Sequence, residues 1–184
     1  MYLLPPPPPL LLLSPPIPQQ QQLPPSAGAP TGGEEILIVE DDEIIAEMLI
    51  TVLEEGRASY YGGEEGGEGR GLTGVITPSV QGARTFLTAR KQTRGGILPR
   101  MILLDFLLLG SETGGDLLLW MQDDPLFAAI PVILLPASRP YERAGIAQAV
   151  SLATQVVYKP FEVADFLAAC TEACPSLFVH APVS

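Results

Sequence analysis

The feature that most constrains the fold of this chain is a series of short apolar runs, each followed by a helical pattern. Runs of four β-branched and aliphatic residues are typical of strands buried on both faces. Five alternations of strand and helix predict an α/β fold, doubly wound, with a five-stranded parallel sheet and helices on both faces. The predicted strands are residues 36–39, 75–77, 101–104, 132–135 and 155–158.

The predicted helices each carry one apolar stripe. The first has apolar residues at i, i+3, i+4, i+7 and i+8, starting from Ile45. The inner stripe of the last includes the only two cysteines, Cys170 and Cys174. No second cysteine pair or paired histidine completes a zinc site, so we expect both to be core residues in a reducing compartment. The remaining predicted helices span residues 81–92, 116–122, 141–150 and 162–173.

Segments of biased composition set the predicted domain bounds. Residues 1–33 are rich in Pro, Leu and Gln, which predicts a disordered tail. A Gly/Glu tract within residues 56–74 predicts a flexible surface insertion. The domain is predicted to span residues 34–176, and residues 177–184 to form a C-terminal tail.

Charge and hydropathy exclude several kinds of partner. The chain has 10 basic and 21 acidic side chains and a formal net charge of -11. Direct binding to nucleic acid needs clustered Lys and Arg, so this balance argues against it and favours metal cations and basic proteins. No apolar run long enough to span a bilayer is free of Pro, Gly or charge, which predicts a cytoplasmic protein without a membrane partner.

Charged residues follow three of the predicted strands. Glu40 and Asp41 follow the first, Asp105 the third and Lys159 the fifth, while Asp42 is the expected N-cap of the first helix. Because parallel strands place their carboxyl ends at one edge, we expect the three carboxylates and the ammonium to meet there. Converging carboxylates favour a divalent cation, most plausibly Mg²⁺, and an ammonium can hold an anion beside it. These are the parts of a phosphoryl-transfer site, although Lys159 could instead form a simple internal ion pair.

Four segments, taken in order, resemble the receiver domain of two-component response regulators. They are the first strand with its acidic pair, the strand ending at Asp105, the start of strand four, and the turn around Lys159. The resemblance covers residues 34 to about 175 and implies a flavodoxin-like three-layer sandwich with strand order 2-1-3-4-5. The four segments are residues 36–42, 102–105, 130–133 and 158–161.

The resemblance also implies a mechanism at the acidic edge. Asp105 would accept a phosphoryl group from a phosphohistidine on a partner histidine kinase or phosphotransfer protein. Asp41 would ligate Mg²⁺ directly, Glu40 through water, and the backbone carbonyl of Leu107 would complete the protein ligands. With no output domain expected after the last helix, the response would pass through protein contact at helix four, strand five and helix five.

The phosphoryl oxygens would be held by Lys159 and by the backbone amide of Ala137. Two positions depart from the family pattern: Pro136 stands where a Ser or Thr is usual, and Val156 where an aromatic residue usually changes rotamer. The loop after Asp105 lacks the usual Pro and is slightly lengthened. At positions 136 and 156 the chain lacks the hydroxyl and the aromatic ring that usually couple phosphorylation to a surface change.

Three functions are therefore open. A stand-alone receiver would take up a phosphoryl group on Asp105 and signal through protein contacts, without being a turnover enzyme. A pseudo-receiver scaffold would keep the fold and bind proteins without a working switch. A haloacid-dehalogenase-like phosphatase is disfavoured, because it needs a second acid where this chain has Leu107.

Overall fold

A computed structural model describes residues 34–60, 71–139 and 145–178. All strand pairings in it are parallel, and the sheet order is β2-β1-β3-β4-β5. The predicted fold class and strand order are confirmed. The strands are β1 (Glu34–Val39), β2 (Leu72–Thr77), β3 (Ile102–Asp105), β4 (Val132–Leu135) and β5 (Gln155–Val156).

Helices cover both faces of the sheet and make it the middle of three layers. The second, third and fifth helices bury side chains against one face, and the first and sixth against the other. A 3₁₀ turn (Pro175–Leu177) follows the last helix. The helices are α1 (Glu43–Tyr60), α2 (Val80–Gln92), α3 (Gly114–Gln122), α4 (Pro125–Ala128), α5 (Ile146–Leu152) and α6 (Val163–Ala173).

The strands supply both cores because alternate side chains point to opposite faces. In β1, Leu37 and Val39 join the core under α2, α3 and α5, whereas Ile36 and Ile38 join the core under α1 and α6. All four are fully buried, which explains why the strand sequence is apolar throughout rather than alternating.

α1 extends into the stretch predicted as an insertion. Gly56 lies within the helix, and a Cβ there would be 2.5 Å from a terminal carbon of Leu167 on α6, so the glycine allows these two helices to pack closely. The next residue, Arg57, is buried and pairs with Glu34 of β1 at 2.6 Å. The insertion is therefore shorter than predicted, and residues 61–70 of it lie outside the described residues.

β2 also begins earlier than predicted, at Leu72 rather than Val75. Gly74 lies inside this strand, where the side chain of Ile50 from α1 packs over it; a Cβ would be 2.4 Å from the Ile50 Cδ1 atom. This contact accounts for a glycine in a strand interior, which otherwise weakens a strand.

The domain continues slightly past its predicted end. Leu177 and Phe178, predicted to begin a tail, are buried in the core under α1 and α6. Cys170 and Cys174 are buried in the same core with free thiols, as predicted.

The structure also differs from the sequence prediction at two helices. α4 was not predicted, although Asp124 caps it by accepting a hydrogen bond from the Leu126 N–H, with Pro125 at its first position. α5 begins at Ile146, and residues 140–144 of the predicted helix lie outside the described residues, as do residues 1–33. Within the described ranges, every helix is too short or too polar to cross a membrane.

Candidate functional site

The carboxyl ends of β1 and β3 bring three acidic side chains together. Carboxylate oxygens of Glu40, Asp41 and Asp105 all lie within 4.8 Å of one another. Glu40 is 3% exposed and Asp105 is 7% exposed, whereas Asp41 is half-buried. The edge of a parallel sheet thus assembles the acidic cluster expected from the sequence.

Lys159 reaches the same cluster from the segment that follows β5. Its Nζ atom lies 2.7 Å from the Glu40 Oε2 atom and 3.4 Å from the Asp105 Oδ2 atom. Its backbone N–H donates to the Pro136 carbonyl at 2.9 Å, and its peptide bond to Pro160 is cis. The internal ion pair is present, but one ammonium beside three carboxylates leaves an excess of negative charge.

The pKa of Asp105 is raised from 3.8 to about 6, mainly because burial disfavours the charged carboxylate, and the negative charge of Glu40 contributes to the rise. Lys159 and the Phe106 N–H, which donates to the Asp105 Oδ1 atom at 2.8 Å, act in the opposite direction. A divalent cation among these oxygens would offset the burial and the negative charge of Glu40, which both raise the pKa of Asp105. The donor set therefore fits a hard divalent metal ion.

Asp42 serves the helix rather than the site. Its Oδ1 atom accepts hydrogen bonds from the N–H groups of Ile44 at 2.9 Å and Ile45 at 3.2 Å, which confirms the predicted N-cap of α1. The next residue after the acidic pair thereby fixes the start of α1 directly beside the cluster.

The loop after β3 carries Leu107, which is 37% exposed and lies two residues after Asp105. Its ends are drawn together where the Gly114 N–H donates to the Phe106 carbonyl at 2.9 Å. A Cβ at Gly114 would lie 2.3 Å from the Asp105 carbonyl oxygen, so only glycine fits there. The loop enters α3 through a capping box formed by Thr113 and Asp116.

Pro136 and Val156, the two positions that depart from the receiver pattern, lie after β4 and in β5. Pro136 is buried directly after β4, and Val156 is half-buried in β5, packed against the core under α2, α3 and α5. Ala137, whose amide was expected to bind a phosphoryl oxygen, is exposed. Pro136, the residue that follows β4, itself carries no hydroxyl.

Sequence reasoning missed two residues around the site. Thr77, at the end of β2, is buried, and its carbonyl accepts the Glu40 N–H at 3.1 Å; its position at a strand end was an available signal. Arg84 contacts the loop after β3 from α2. That contact depends on the path of the loop and had no signal in the sequence.

No protein-family model matches the chain, and no curated protein matches it. Several solved structures do match the chain. The signal receiver domain of a signal transduction histidine kinase from Syntrophus aciditrophicus is 25% identical with a TM-score of 0.58, over 83% of this chain and 98% of that one. The phosphorylated cyanobacterial phytochrome response regulator RcpA is 20% identical with a TM-score of 0.57, over 83% and 100%. The Mn²⁺-bound form of response regulator Rcp1 is 20% identical with a TM-score of 0.53, over 82% and 99%.

The chain therefore has the fold of response regulator receiver domains, and its acidic cluster lies at the carboxyl edge of the sheet. The resemblance inferred from four short segments is confirmed. This likeness supports a receiver-domain role in signalling.

Proposed function

We propose that this chain is a receiver domain that takes up a phosphoryl group on Asp105, with a divalent metal ion, Mg²⁺ in the cell, bound beside it. The observation that carries the proposal is the convergence of Glu40, Asp41 and Asp105 within 4.8 Å, with the Lys159 ammonium against two of them. Internal ion pairs stabilise a fold poorly, so a purely structural role explains this costly cluster less well.

The chemistry divides among the residues as follows. A carboxylate oxygen of Asp105 attacks phosphorus, a new O–P bond forms, and the P–N bond of a phosphohistidine breaks. The bonding electrons leave with the imidazole nitrogen. Lys159 lies 3.4 Å from the Asp105 Oδ2 atom, where its ammonium can hold an incoming phosphoryl oxygen, and the Ala137 N–H is the proposed second donor.

Glu40, Asp41 and Asp105 would hold the metal ion, and the Leu107 carbonyl is the proposed further ligand. When bound, Mg²⁺ supplies positive charge that offsets the oxygens of the phosphoryl group. Two structurally similar response regulators are known in a phosphorylated and in a Mn²⁺-bound form, which supports the same chemistry here. The phosphoryl donor is proposed to be a histidine kinase or a phosphotransfer protein.

The experiment is phosphorylation by acetyl phosphate with Mg²⁺, followed by intact-protein mass spectrometry. Wild-type protein should gain one phosphoryl group, and Asp105→Asn should gain none because the amide is not nucleophilic. The matched control is Asp123→Asn, an exposed aspartate that caps the C-terminus of α3, which should behave as wild type. Failure of the wild-type protein to gain a phosphoryl group would refute the proposal.

The alternative is a pseudo-receiver scaffold, which Pro136 and Val156 favour. Pro136 lacks the usual hydroxyl, and Val156 lacks the aromatic ring that usually changes rotamer. The same labelling separates the two functions, because a scaffold takes up no phosphoryl group. A turnover phosphatase would instead hydrolyse small phosphate esters continuously. We propose a single uptake per molecule followed by slow loss, which is not enzymatic turnover.

A further inference from the structure

Arg84 of α2 links that helix to the loop between Asp105 and α3. Its Nη1 atom donates to the Glu112 Oε1 atom at 2.6 Å, and its Nη2 atom donates to the Asp116 carbonyl at 3.4 Å. The guanidinium carbon lies 5.6 Å from the centre of the Trp120 ring. One side chain therefore contacts the loop, the first turn of α3 and the body of α3 at once.

The ion pair of Arg84 and Glu112 lies partly in solvent, because the two side chains are 24% and 39% exposed. Solvent screens such a pair, so the hydrogen bond to the Asp116 carbonyl and the contact with the Trp120 ring add to the hold of Arg84 on this region. Trp120 is itself held by stacking on Phe127, with ring centroids 5.0 Å apart.

Core packing also holds the loop that Arg84 contacts: Phe106 is buried in the core under α2, α3 and α5, and Leu108 packs against the same core. The ends of the loop are held by the Gly114 N–H and by the capping box at Thr113, and the loop turns at Gly110 with a φ of +120°. Leu107 is exposed, between the buried Phe106 and the partly buried Leu108. The ion pair at Glu112 ties the part of the loop after Gly110 to α2.

We infer that Arg84 is a positioning residue for the metal site: through Glu112 it fixes the loop that presents the Leu107 carbonyl to the cation. The inference rests on the proposed function, in which that carbonyl is a ligand. Residues that orient metal ligands commonly change metal affinity by about tenfold or more when they are removed. Since Arg84 acts through a loop, we expect a change of about three- to tenfold.

The sign of the effect separates positioning from plain electrostatics. Removing a positive charge near a cation site strengthens cation binding by Coulomb's law. Loss of a positioning contact weakens it. Arg84→Gln therefore should bind Mn²⁺ more weakly under this inference, and more tightly if Arg84 acts only through its charge.

Arg90 provides a matched control on the same helix. It also pairs with a carboxylate, that of Glu35, and also lies over an aromatic ring, that of Phe86 at 5.1 Å. Glu35 stands at the start of β1, at the opposite end of the strand from the acidic cluster. Arg90→Gln thus removes the same kind of interaction away from the site.

The experiment titrates the whole chain with Mn²⁺, with free Mn²⁺ followed by electron paramagnetic resonance and folding checked by circular dichroism. Arg84→Gln should raise the dissociation constant about three- to tenfold. Arg90→Gln should leave it unchanged, and Arg84→Lys, which keeps the ion pair, should stay within about twofold of wild type.

The possible outcomes test this inference separately from the proposed function on which it rests. If wild-type protein binds no Mn²⁺, the proposed function and the inference both fall. If wild-type protein binds Mn²⁺ but Arg84→Gln binds it equally or more tightly, the inference alone falls. Should Arg84→Gln not fold, Glu112→Gln takes its place, and it must weaken Mn²⁺ binding more than Glu43→Gln, which removes an exposed carboxylate two residues from Asp41.

Discussion

Asp105→Asn should stabilise the metal-free protein at neutral pH, even though it removes the proposed phosphoacceptor. Asp105 is 7% exposed, and burial raises its pKa from 3.8 to about 6. An asparagine of the same shape has no charge to desolvate, and its Oδ1 atom can still accept the Phe106 N–H. Lys159 keeps its closer partner Glu40, so the substitution leaves no ammonium stranded.

The size and sign of the effect follow from proton linkage. A pKa difference of about two corresponds to an upper limit of about 3 kcal/mol. Between the two pKa values the folded protein holds a proton that the unfolded chain has lost, so the free energy of unfolding of wild type falls as pH rises. The destabilisation of wild type by the buried Asp105 carboxylate is absent below the unfolded-state pKa and complete above a pH of about 6.

The measurement is urea unfolding of both proteins in EDTA across about pH 4 to pH 8, where the difference between them isolates Asp105. Asp105→Asn should gain stability over wild type as pH rises and approach equality at the acid end. Asp123→Asn, an exposed change, should alter the stability only slightly. A difference that is independent of pH, or that favours wild type at neutral pH, would contradict the assigned effect of burial.

Two other substitutions address the frame of the site. Gly114→Ala places a Cβ against the Asp105 carbonyl oxygen, which should cost about 2 kcal/mol in urea unfolding and weaken Mn²⁺ binding in calorimetric titration. Lys159→Met leaves the buried Glu40 carboxylate without its nearest cation, which should cost about 3 kcal/mol in EDTA, with part of the loss recovered when Mg²⁺ is added. A Lys159→Met protein as stable as wild type in EDTA would mean that Glu40 is neutralised in some other way.

The positions of the site residues could be predicted because they depend on one simple rule. Parallel strands put their carboxyl ends at one edge, so residues at or just after the ends of β1, β3 and β5 were expected on the same side of the sheet. Glu40, Asp105 and Lys159 accordingly lie together as expected. Strand interiors were equally predictable, since burial on both faces forces an unbroken apolar run.

The predictions that failed concern residues whose role is set by a distant neighbour. Gly56 and Gly74 resemble loop glycines in the sequence, yet Gly56 lies inside α1 and Gly74 inside β2. At each position a neighbouring side chain, that of Leu167 or Ile50, fills the space that a Cβ would take. Local propensity carries no information about such contacts. The Arg84 contact with Glu112 is of the same kind, because it joins two elements through a loop of irregular path.

The ion pair between Glu40 and Lys159 joins residues 119 positions apart in the chain. During synthesis the acidic residues of β1 and β3 emerge from the ribosome long before the lysine does. For a time the emerging chain therefore carries these carboxylates without the ammonium that partly neutralises them. The site can be completed only after β5 has docked on the far side of β4. The proposed ability to hold a phosphoryl group would therefore be acquired only once β5 is in place, which would keep shorter unfinished chains from taking part in signalling.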